Sequence, residues 1–96
     1  MTETGILAKI REGTDGSNFI GRPYNTILFN DNVHTMIEVT NQLKKATGYS
    51  DEKVEDIMLE AHNKGRAIVM TAHREKAEHV AAILEEIRLG TKVEPA

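Results

Sequence analysis

The stretch SDEKVEDIMLEAHNKGRAIVMT, residues 50–71, changes its periodicity across a single glycine. Before Gly65, Val54, Ile57, Met58 and Ala61 recur every three or four residues, the pattern of a helix buried along one stripe. Ser50 suits the N-cap, and Asp51 and Glu52 occupy the first turn, where the helix dipole favours anions. Gly65 is a C-terminal stop. Beyond it, Arg66 to Thr71 reads as a strand centred on Ala67-Ile68-Val69-Met70. Its unbroken apolar run predicts burial on both faces or a central place in a sheet.

Upstream, Tyr24 to Phe29 is a short β-rich run between Pro23 and Asn30-Asp31-Asn32. Thr35 and Glu38 have capping-box spacing. Met36, Val39, Leu43 and Ala46 then mark one face of a helix that Gly48 ends. Downstream, residues 73–89 predict the longest helix, with Ala77, Val80, Ala81, Leu84 and Ile87 buried and Gly90 as the stop. Thr91 to Pro95 predicts a short edge strand, because Pro95 cannot donate to a ladder. The expected fold is α+β: a small three-stranded antiparallel sheet with three helices packed on one face, in the order β-α-α-β-α-β. Residues 1–22 hold four of the seven glycines and few apolar positions, and are expected to form a flexible N-terminal tail on a domain spanning 23–96.

Ninety-six residues suffice for one domain with one modest core. The net charge of −3, without a basic cluster, argues against nucleic acid as a partner. The chain has no cysteine, which excludes disulfides, thiol nucleophiles and cysteine-based zinc sites. No apolar run approaches a membrane span and the N-terminus has no apolar signal core, so a cytoplasmic protein is expected. There is no Gly-rich phosphate loop, no G-x-S-x-G and no H-E-x-x-H. His73 and His79 are six residues apart and share no helix face; both read as surface side chains. The expectation is a protein that is not an enzyme and has neither metal nor cofactor.

Two features remain. Asn30-Asp31-Asn32, between a strand and a helix, is foremost an Asx-turn that sets the helix start. Its second reading is a rim of side-chain acceptors suited to an ammonium group. The stripe Met36, Val39, Met58 and Ala61 is foremost core, yet methionines on neighbouring helices also suit an apolar pocket with a polar mouth.

From Pro23 to Pro95 the chain resembles the ClpS family, adaptors of the Clp protease system. The resemblance rests on Asn30-Asp31-Asn32 with Met36 and Val39 downstream, on the run from Ile57 to Ala67 (M-L-E-x-H-x-x-G-R-A at its centre), and on Ala77-Glu78 and Val93-Glu94-Pro95. It implies an adaptor that binds N-degrons, proteins beginning with Phe, Tyr, Trp or Leu, and delivers them to a Clp unfoldase of the AAA+ class. Asn30, Asn32 and His62, with Asp31 in the same turn, would hold the substrate's α-amino group. Met36, Val39, Met58 and Ala61 would form the side-chain pocket, with His34 at its rim and Met36 as a gate against β-branched side chains. Glu75 and Glu78 would face the N-terminal domain of the unfoldase, and the tail would match a mobile extension used in delivery. Three positions depart from the family's commonest residues: Asn32 for Asp, Ala61 for Val and His34 for Thr. The first removes a negative charge but keeps an acceptor; the others change the pocket's volume and polarity. The alternative is a module of the same fold that binds a Clp-type unfoldase without reading free N-termini.

Overall fold

Helices and strands follow one another in the order the periodicities predict, in a computed structural model that describes residues 21–96. The elements are β1 (Tyr24–Phe29), α1 (Met36–Thr47), α2 (Asp51–Lys64), β2 (Arg66–Ala72), α3 (Arg74–Glu85) and β3 (Thr91–Pro95). Apart from Gly21 and Arg22, the expected tail lies outside the described residues. No helix among the described residues is long and apolar enough to cross a membrane.

Local chemistry sets the helix ends. The Thr35 hydroxyl accepts from the Glu38 amide at 3.1 Å, and the Glu38 carboxylate accepts from the Thr35 amide at 2.8 Å, closing the capping box of α1. Ser50 caps α2 by accepting from the Lys53 amide, and His73 occupies the N-cap of α3. Gly48 and Gly65 end α1 and α2 in the left-handed conformation that glycine adopts without a Cβ clash.

The sheet is antiparallel with strand order β2-β1-β3. The strand expected at the centre, β2, is therefore at an edge, and β1 is central. The apolar run of β2 has another cause, a β-bulge. Thr26 pairs with Met70 and Ile27 with Ile68, so Val69 is an extra residue with no opposite number. The bulge lets both Val69 and Met70 pack on the helix-side core, while Ile68 stays half exposed. The apolar run thus records an irregular register rather than burial on two faces.

The last helix also differs from expectation: it stops at Glu85, and α2 is the longest. Leu84 and Leu89 are both buried in the same core. Five residues along a helix rotate by about 140° from one face, so a continuing helix would not bury both. The chain instead turns through Arg88, at φ 66°, before β3. Two buried polar groups tie α3 down. The Thr26 hydroxyl donates to the Ala77 carbonyl at 2.8 Å, and Gln42 Nε2 donates to the Ile83 carbonyl at 2.6 Å.

Candidate functional site

The site lies where β1 runs out against the junction of α2 and β2. The Phe29 amide donates to the Gly90 carbonyl at 3.0 Å, and the Asn30 amide donates to the Gly65 carbonyl at 2.9 Å. Gly65 is the left-handed cap of α2, its own amide bonded back to Ala61. His62 sits in that same last turn. The cap therefore seats the Asn30 turn beside His62.

A cavity of about 120 Å³ opens there. Val39, Met58 and Ala61, all buried, form its apolar floor together with Leu28. Met36 and Leu59 belong to its lining yet remain 63% and 45% exposed, which places them at the mouth. Asn30, Asp31, His34 and His62 supply its polar groups, and Phe29 completes the lining. A dry cavity of about 150 Å³ takes a benzene ring, so this one accommodates a single large apolar side chain.

Asp31 is committed to its own turn. One carboxylate oxygen accepts from the amides of Val33 at 2.6 Å and His34 at 2.8 Å; the other lies 2.7 Å from His34 Nδ1. Burial pushes the Asp31 carboxyl up, but the His34 and Val33 amides and the His34 ring outweigh it and hold it below its ordinary value. The same contact raises His34: Asp31 accepts from its ring, desolvation opposes this, and the charge of Asp31 and the Ile87 carbonyl add to the rise. At the mouth Asp31 and His34 therefore form a hydrogen-bonded pair, each engaged by the other.

Asn32 does not line the cavity; it reaches the site through Asn30, whose Nδ2 lies 3.5 Å from Asn32 Oδ1. Glu75 and Glu78 stand exposed in the first half of α3, outside the lining, with Glu78 accepting from Arg74 Nε at 3.1 Å. The cavity thus brings together Asn30, Asp31, His34, Met36, Val39, Met58, Ala61 and His62, and leaves out Asn32, Glu75 and Glu78. Leu28, Phe29 and Leu59 also line it and were not singled out from the sequence. The signal for the first two is their place at the end of the strand leading into the turn. Leu59 follows Met58 but falls off the helix's buried stripe.

Residues 21–91 match the family described as ATP-dependent Clp protease adaptor protein ClpS. The chain is 41% identical over 58 residues to the ATP-dependent Clp protease adapter protein ClpS of Nocardia farcinica, covering 60% of this chain and 55% of that one. It is 41% identical over 56 residues to the Streptomyces coelicolor protein of the same name, covering 58% of each. Against that of Mycolicibacterium paratuberculosis the identity is 36% over 76 residues, 73% of this chain and 72% of the other. The chain thus spans little more than half the length of the first two relatives. Among solved structures, Agrobacterium tumefaciens ClpS2 bound to L-phenylalaninamide superposes with a TM-score of 0.74 at 27% identity, covering 78% of this chain and 98% of that one.

Proposed function

The chain belongs to the ClpS family of Clp protease adaptor proteins, and from that premise we propose that it captures the free N-terminus of a substrate protein whose first residue is bulky and apolar. The observation that carries this reading is the join between an apolar cavity and a mouth bearing Asn30 and His62. The apolar side chain, of the Phe, Tyr, Trp or Leu class, enters between Val39, Met58 and Ala61. The α-ammonium donates to the side-chain oxygen of Asn30, whose Nδ2 is turned toward Asn32, and to the imidazole of His62. Asn32 acts by orienting Asn30. Asp31 is engaged by its own turn and paired with His34, so the amine is held by hydrogen-bond geometry more than by net charge. The ligand of the Agrobacterium neighbour, L-phenylalaninamide, has the same two parts, a free α-amine and an aromatic side chain.

In this reading the protein is not an enzyme. It hands its cargo to the N-terminal domain of a Clp AAA+ unfoldase in the cytoplasm, docking through the exposed face of α3 that carries Glu75 and Glu78. The test is calorimetric titration with a peptide beginning in Phe, its amine free or acetylated. Binding of the free form with a Kd of about 10 μM or tighter, and none of the acetylated form, is expected. Equal binding of both would replace this reading with a module of the same fold that ignores free N-termini.

A further inference from the structure

A chain without cysteine leaves methionine as its oxidisable sulfur. Packing treats the methionines of the described residues differently. Met58 is 8% exposed on the cavity floor, and Met70 is partly buried against the core. Met36 is 63% exposed and belongs to the cavity lining. It is the first residue of α1 and follows the Thr35 N-cap, so the capping box fixes its backbone while its side chain stays open to solvent. Among the described residues, the methionine most open to a dissolved oxidant therefore stands at the entrance of the site. A hydroperoxide transfers one oxygen to such a sulfur. The thioether lone pair attacks a peroxide oxygen, and an S–O bond forms as the O–O bond breaks. With hydrogen peroxide, the departing hydroxide takes the proton of the transferred hydroxyl and leaves as water. Sulfur is oxidised by two electrons to the sulfoxide, and the peroxide is reduced by two. A flexible apolar side chain becomes a polar one.

We propose that Met36 is a reversible oxidation site, and that its sulfoxide weakens capture of an apolar N-terminal residue. This rests on the end-capture reading above and adds a regulation to it. The captured side chain enters past Met36 to lie on Val39, Met58 and Ala61, and so covers the Met36 side chain. In the sulfoxide, that contact strips water from a strong acceptor oxygen and sets it against carbon. Leu59, the other exposed apolar residue of the lining, has no side-chain donor to offer it, and Asn30 Nδ2 is turned toward Asn32. The exposure that admits a peroxide also admits the two methionine sulfoxide reductases, one for each epimer, so the change can be undone. Met58, on the floor, is shielded from both.

The test uses the full chain and a peptide beginning in Phe with a free amine. The chain is treated with limiting hydrogen peroxide, sulfoxide is located by mass spectrometry of proteolytic fragments, and affinity is measured by calorimetry. Met36 is expected to oxidise about tenfold faster than Met58 or Met70. Affinity should then fall about tenfold, while Tm stays within about two degrees of the untreated chain. Both reductases together, with a thiol reductant, should restore the affinity. M36L, whatever its own starting affinity, should lose none of it to peroxide. Oxidation of Met58 or Met70 ahead of Met36, unchanged or tighter binding by the Met36 sulfoxide, no recovery with the reductases, or an equal loss in M36L would each overturn the proposal. All four leave end capture standing, because the untreated chain still binds. If the untreated chain binds no free-amine peptide, or binds the acetylated one as well, end capture itself fails and this regulation fails with it.

Discussion

The backbone amide of Asn30 donates to the carbonyl of Gly65 at 2.9 Å, which joins the end of β1 to the cap of α2. Through this bond the turn that follows β1 and the histidine one turn before the cap meet at one cavity mouth. Neither helix packing nor strand pairing alone would place Asn30 and His62 together.

Removing either member of the mouth should abolish capture without unfolding the domain. Asn30→Ala and His62→Ala are each expected to weaken binding of a free-amine Phe peptide at least tenfold, about 1.4 kcal/mol or more. Both side chains are exposed, so thermal unfolding should move by no more than a degree or two. A large fall in Tm with unchanged affinity would contradict the assignment.

Asp31 should behave as a structural residue. Asp31→Ala removes the acceptor for the Val33 and His34 amides and is expected to cost about 1–2 kcal/mol in urea unfolding. Peptide affinity should fall as well, because the turn also positions Asn30. Asp31→Asn keeps one acceptor oxygen and should recover part of the stability.

The Asp31–His34 pair predicts a pH window. Asp31 is held below its ordinary value of 3.8, so its contribution is present above that pH and is lost as pH falls through the folded value. His34 is raised above 6.5, so its contribution is complete below that pH and is lost as pH rises through the folded value. The pair therefore supports the fold most between pH 3.8 and 6.5. Relative to His34→Gln, the wild-type chain should show its largest Tm advantage near the middle of this window. That advantage should shrink on the alkaline side; one that grows toward high pH would refute the pairing.

Gly65 has φ +90° and open space where a Cβ would sit, so the strain of Gly65→Ala is one of backbone conformation and not of packing. A left-handed non-glycine residue costs about 1–2 kcal/mol, which denaturant unfolding should register. Because the carbonyl of Gly65 holds Asn30, peptide affinity should decline in the same variant. Gly48→Ala has a similar positive φ at a helix end remote from the mouth. It should lose comparable stability while retaining affinity.

Much of the fold was legible because its signals are local. The apolar spacing of Val54, Ile57, Met58 and Ala61, the Thr35–Glu38 capping box and the Gly65 stop each act within a few residues. The structure departs from the sequence expectation where a distant partner decides the outcome. The apolar run of β2 resembled a central strand because a bulge opposite Thr26 and Ile27 turned Val69 and Met70 to one face. The last helix is shorter than its apolar periodicity predicts because the burial of Leu89 ends it, and the core that buries Leu89 is built by other elements.

The sequence by itself determined the order of the elements, their caps and the residue types at the site: acceptors in a turn, two methionines and a helix histidine. It could not determine which of these side chains converge. The Asx-turn that engages Asp31 was itself a local signal; only the tertiary structure exposed Met36 at the mouth, kept Asn32 out of the cavity and added Leu28, Phe29 and Leu59 to the wall. The physical reason is range. Caps and periodicities are set by neighbours within one or two turns, whereas a cavity is the space left between segments brought together by long-range bonds such as that from Asn30 to Gly65.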